Sequence, residues 1–79
     1  MEHPVVLCGL GRVGWRVFDF LRSTGVPVVA VDQHVTSDDL RLSGMKLVKG
    51  DCRQATVLEQ AGVADARGVI IATLSLIHI

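Results

Sequence analysis

A doubly wound α/β fold, with a parallel sheet and helices on both faces, is predicted by three observations in this sequence of 79 residues. Short continuous apolar runs suited to buried strands recur along the chain, stretches with helical periodicity separate them, and glycine or acidic residues punctuate the changes. Residues 4–8 (PVVLC) are the first strand, ending at Gly9. From 13 to 23 the period changes: Val13, Val17 and Leu21 recur at four-residue spacing while Arg12, Arg16 and Asp19 share another side, which predicts an amphipathic helix stopped by Gly25. Residues 26–31 are β-branched and apolar, tolerate Pro27 near the start of a strand, and end at Asp32. Thr36 or Ser37 can cap a short helix through Leu42 that Gly44 closes, and residues 45–48 make a third strand running into Lys49 and Gly50. A last helix over 54–61, with Val57 and Leu58 inward and Gly62 as its stop, leads to a fourth strand over 68–72.

The order β-α-β-α-β-α-β with right-handed crossovers predicts a strand order of 3-2-1-4. The crevice at the switch point then lies between the first and fourth strands, beyond their C-terminal ends. With 49% apolar and 20% charged residues, the chain is one small unit or part of one. Formal net charge is zero and the basic residues are scattered, so nothing favours nucleic acid or an anionic membrane, and no run suits a signal peptide or membrane insertion. Cys8 and Cys52 lack a metal-ligand spacing and are read as small apolar fillers near strand ends in a reducing, cytoplasmic setting.

The chemistry is concentrated in Gly9-Leu10-Gly11-Arg12-Val13-Gly14, a G-x-G-x-x-G that follows a strand directly and opens a helix. Gly9 allows the tight turn, Gly11 allows a pyrophosphate to approach the backbone, and Gly14 allows helix and strand to pack closely. Free N–H groups at the helix N-terminus supply an anion site without any basic side chain. Three glycines that merely shorten a turn are the structural alternative. Arg12 either adds a charge-assisted phosphate contact or points into water. Asp32, at the end of the second strand, is placed to accept from ribose hydroxyls, with a turn or capping role as its alternative. Neither Gln33 nor His34 offers an arginine for a 2′-phosphate, so NADP is disfavoured against NAD. Asp51, in Gly50-Asp51-Cys52, either orients the loop and reaches an adenine or caps the following helix. The hydroxyl of Thr73 faces the same crevice or serves as a local cap.

These features define a Rossmann-type nucleotide-binding half-domain. Two functions share it: a ligand-binding regulatory module, favoured by the lack of a recognisable acid, base or nucleophile in the crevice, and the cofactor domain of an NAD-dependent dehydrogenase. A purely structural interaction domain requires the glycines and Asp32 to coincide by chance.

Taken together, VVLCGLGRVGWRV, VVAVDQ, KGDC and EQAGVADARGVIIAT resemble the N-terminal NAD-binding domain of TrkA-like proteins, the regulator of potassium conductance or RCK domain, from about Val5 to Thr73. The resemblance implies a non-enzymatic cytoplasmic domain that assembles into homodimers or larger rings, binds NAD(H) or ATP/ADP, and acts on the membrane subunit of a potassium channel or transporter. Carried over by position, it puts Gly9, Gly11, Arg12 and Gly14 at the phosphates, Asp32 at the ribose, and Asp51 and Cys52 at the adenine, with Thr73 close by. Trp15 departs from the family's usual polar or variable residue and is read as a rim aromatic folded over the helix beside Phe18 or Asp19, or as a contact surface. After Ala72-Thr73 the family continues with an acidic loop, a helix and two strands, where this chain has LSLIHI. Residues 1–73 are therefore expected to be a partial domain. Residues 74–79, which match the translation of a transposon end used in sequencing libraries, are expected to be a non-native tail, the alternative being an apolar extension of the fourth strand. The half-domain is expected to bind weakly, with the outer edge of the fourth strand unpaired and the nicotinamide half of the site missing.

Overall fold

The apolar run after Pro4 forms β1 (Val5–Cys8), buried along its whole length, and the run after Pro27 forms β2 (Val28–Asp32), buried up to Asp32. With β3 (Lys46–Lys49) and β4 (Gly68–Ile71) they make one four-stranded parallel sheet, and the computed structural model describes residues 3–35, 42 and 45–72 of the chain. The order is β3-β2-β1-β4, as expected. Cys8 stands opposite Val31 on one side and Ile71 on the other, and Asp32 stands opposite Lys49, so the C-terminal ends of all four strands are level. The expected cap at Thr36 or Ser37, most of the helix it begins, Gly44, Thr73 and the tail 74–79 fall outside the described residues. Leu42 is described and buried.

Strand alternation divides the core between the two faces of the sheet. Val6, Cys8, Val29, Val31 and Val48 pack with Val57 and Ala61 of α2 (Ala55–Ala61) on one face. Leu7, Val28 and Ala30 pack with Leu10, Phe18 and Leu42 on the other, the face covered by α1 (Arg12–Ser23). β1 and β2 are buried on both faces, which is why they read as unbroken apolar runs. Of the outer strands, β4 alternates in exposure and β3 is exposed at both ends.

Two details of the sequence reading change. The second strand starts two residues later than expected, because Val26 N–H bonds back to the carbonyl of Leu21 and the Pro27 carbonyl accepts from Val5; both residues belong to the helix exit and strand entry. The buried face of α1 is set by Gly14 and Phe18, with Trp15, Val17 and Leu21 only partly covered, and Val13 is 50% exposed. Gly14 lies against the backbone of Gly9, and this close approach fixes the rotation of the helix. Trp15 meets Phe18 edge to face at 5.4 Å, the rim position expected for it.

Candidate functional site

The site begins where β1 stops. Gly9 has φ +99°, a conformation that L side chains rarely adopt, and its N–H still donates to the Val31 carbonyl at 2.7 Å. The chain therefore turns sharply without leaving the edge of the sheet. A Cβ on Gly14 would overlap the Gly9 carbonyl oxygen and lie 2.8 Å from its carbon, so the third glycine is required by close packing of helix on strand. A Cβ on Gly11 would meet no protein atom within 4 Å. Packing thus explains the last glycine of the turn and leaves the middle one to be explained by whatever approaches it from outside.

Gly11 is the N-cap of α1 and offers no side chain to the N–H groups of the first turn, which contains no acidic residue. The helix presents an uncapped positive end to the cleft. Arg12 and Val13 occupy the first two helical positions, and both are exposed.

Asp32 has two tasks. Its Oδ1 accepts the Leu10 N–H at 2.8 Å, which ties the glycine turn to the end of β2, and its Oδ2 accepts from His34 and Val35 at 2.8 and 2.9 Å. Burial opposes ionisation, but the three backbone donors, helped by the neighbouring His34, hold this carboxyl below its ordinary value. The turn role weighed as an alternative for Asp32 is thus realised, while the same carboxylate lines the cleft beside Gln33.

At the end of β3, Gly50 N–H donates to the Asp32 carbonyl at 3.0 Å, and a Cβ there would come within 2.8 Å of Val57, so this turn passes tightly under α2. Asp51 accepts from the Arg53 backbone N–H at 2.9 Å and from its Nε and Nη2 at 2.7 to 3.0 Å. These bonds hold the Asp51 carboxyl below its ordinary value. The N-cap of α2 is Gln54, so the capping alternative for Asp51 is not what forms, because its carboxylate is turned toward Arg53.

These turns enclose a cleft of about 370 Å³ across the C-terminal ends of the strands. Gly9 and Gly11 line it at one end, Asp32 and Gln33 lie along one side, and Asp51 and Cys52 along the other. The volume is near the lower end of the range for small-molecule sites, about 300–1,000 Å³. Leu10 is buried beneath the turn, Gly14 is packed against Gly9, and neither Arg12 nor Val13 lines the cleft. Sequence reasoning missed Val31, Ala72, His34 and Arg53 among the lining residues. The first two could have been found as strand-end positions next to the crevice. Arg53 had no motif to mark it; its guanidinium is paired with Asp51.

A glycine turn at the N-terminus of a helix, a strand-end carboxylate and a cleft at the switch point together define a Rossmann-type α/β domain. Residues 5–76 match the TrkA-N domain family, and the chain belongs to it. It is 40% identical over 73 residues to the glutathione-regulated potassium-efflux system protein KefC of Cronobacter sakazakii and 38% identical over 73 residues to KefC of Escherichia coli O139:H28, in each case covering 87% of this chain and 12% of that protein. The chain therefore spans about an eighth of the length of these relatives. Among solved structures it is similar to the Shewanella denitrificans Kef CTD in AMP-bound form, with a TM-score of 0.78 and 30% identity over 90% of this chain and 42% of that one. Family membership separates the two functions that the glycine turn left open, in favour of the regulatory module over the dehydrogenase.

Proposed function

We propose that this chain is the adenine-nucleotide-binding part of a regulatory domain acting on a potassium-transport protein of the membrane. The observation that carries the reading is the meeting in one cleft of Gly11 at the uncapped end of α1, the Asp32 carboxylate and the Gly50–Cys52 turn. Phosphate fits the helix end, where N–H groups are free and the middle glycine leaves open space. Ribose hydroxyls fit Asp32, which remains able to accept although it already holds the turn. The base fits between the strand ends and the Asp51-Cys52 wall. The AMP of the Shewanella denitrificans structure supports an adenosine phosphate as ligand, and the cleft volume suits AMP or the adenosine half of NAD(H), ADP or ATP. The potassium-efflux relatives support a membrane transporter as partner and a cytoplasmic position for this domain, and assembly into dimers or larger rings rests on the family resemblance alone. Among the described residues no helix is long and apolar enough to cross a membrane.

Titration with AMP, ADP, ATP, NAD and NADH tests the reading, with thermal stability and Trp15 fluorescence as readouts. A ligand at about one hundred times its Kd is expected to stabilise the chain by about 2.7 kcal/mol. Gly11→Ala is expected to keep the unliganded stability, because its Cβ meets no protein atom, and to lose the ligand-induced shift. Absence of stabilisation by all five nucleotides overturns the proposal.

A further inference from the structure

The two cysteines come from distant segments, yet the fold brings them together. Cys8 is the last residue of β1 and points to the α2 face, where it is buried with Val6, Val31 and Val48. Cys52 follows the Gly50-Asp51 turn at the end of β3, packs against the same cluster and lines the cleft. Both are free thiols, and Cys52 packs against the apolar cluster in which Cys8 is buried. A disulfide needs two side chains that converge from nearby backbones. Strand alternation supplies one of them, and the tight turn at Gly50, held by its bond to Asp32, supplies the other.

We propose that Cys8 and Cys52 form a thiol–disulfide exchange site in the wall of the cleft, with a low-molecular-weight disulfide as its reaction partner. The environments of the two thiols set the order of events. Cys52 is half-buried and reached from the cleft, so it meets the small disulfide first. Cys8 is sealed from solvent, and burial, reinforced by the neighbouring Cys52, pushes its thiol up to about 12. In the first step the Cys52 thiolate attacks one sulfur of the small disulfide, a mixed disulfide forms, and one small thiolate leaves and takes up a proton. In the second, the Cys8 Sγ attacks the Cys52 Sγ, and the second small thiolate leaves and takes up the Cys8 proton. Two protein thiols are oxidised to one disulfide, and one small disulfide is reduced to two thiols. The new bond ties the Cys52 turn to the end of β1 and alters one wall of the cleft.

The test is treatment of the folded chain with hydroxyethyl disulfide, followed by intact-mass measurement and non-reducing peptide mapping. The expected product is a monomer lighter by two hydrogens, with the Cys8 and Cys52 peptides joined, restored by dithiothreitol. Cys8→Ala is expected to retain a hydroxyethyl adduct on Cys52, and Cys52→Ala to remain unmodified while folded. Wild-type chain that stops at the adduct, or joins only to other chains, overturns the proposal. Should the buried Cys8 substitution prevent folding, the wild-type map decides alone, with circular dichroism recorded before and after treatment. A link that forms only where the native spectrum has been lost also overturns it.

Discussion

The two halves of the sheet are built differently. In the β1–α1–β2 half both strands are buried on both faces, Phe18 is fully covered, and the turn between β1 and α1 is held by the close approach of Gly14 to Gly9 and by the bond from Leu10 to Asp32. The outer strands are less covered: β3 exposes Lys46 and Lys49 at its two ends, and β4 exposes Val69 at 44% and Ile71 at 59%. The central half is specified by exact fit and the outer strands by average hydrophobicity. Function follows the same division, since the helix end and Asp32 lie in the tightly built half while the opposite wall is a turn anchored at only a few points.

The sharpest way to break this contrast is Gly14→Ala. The added methyl overlaps the Gly9 carbonyl, whose strand and helix cannot part without opening the core beside Phe18. A loss of more than about 4 kcal/mol is expected, of the kind reserved for backbone clashes at fixed positions, and in a unit this small it should appear as loss of the far-ultraviolet helical signal. A smaller effect is expected for Asp32→Ala, which removes the clamp but leaves the packing. Urea unfolding should show a loss of about 1–3 kcal/mol, the range for bonds to a charged acceptor discounted for its partial exposure. This loss carries a pH signature. The Asp32 carboxyl titrates below its ordinary value of 3.8 in the folded chain, so the unfolded chain binds the proton more readily. The stability it contributes is complete above the ordinary value and disappears as pH falls through the lower, folded one. The difference between wild type and Asp32→Ala should therefore shrink in acid; a difference independent of pH would mean that the carboxylate is not what holds the turn. The smallest effect is expected at Ile71→Thr in β4, within about 0.5 kcal/mol by the same unfolding measurement. A large loss there would show that the outer strand is as closely fitted as the central ones.

The legibility of the sequence follows the same line. Continuous apolar runs marked β1 and β2 because strands buried on both faces have no polar side to show, and the glycine turn could be read because each glycine answers a separate steric demand. The rotation of α1 could not be read from periodicity alone. Val13, Val17 and Leu21 form a regular stripe, but contact between Gly14 and Gly9 turns the helix so that Gly14 and Phe18 face inward. Asp32 was legible as a residue of the site, whereas its bonds to Leu10, His34 and Val35 depend on a turn that exists only after β1 and β2 pair. Arg53 and the meeting of Cys8 with Cys52 depend on how the Gly50 turn passes under α2, which no local pattern encodes.

The bond from Leu10 to Asp32 also bears on the speed of recognition. Because the glycine turn is stitched to the second strand before any ligand arrives, the entropy of ordering that loop is settled during folding and need not be met again at each encounter. A phosphate reaching the end of α1 meets donors already aimed at it. The association rate of such a site is governed by how often the partners collide in a usable orientation, and its residence time by how well the remaining wall closes over the base.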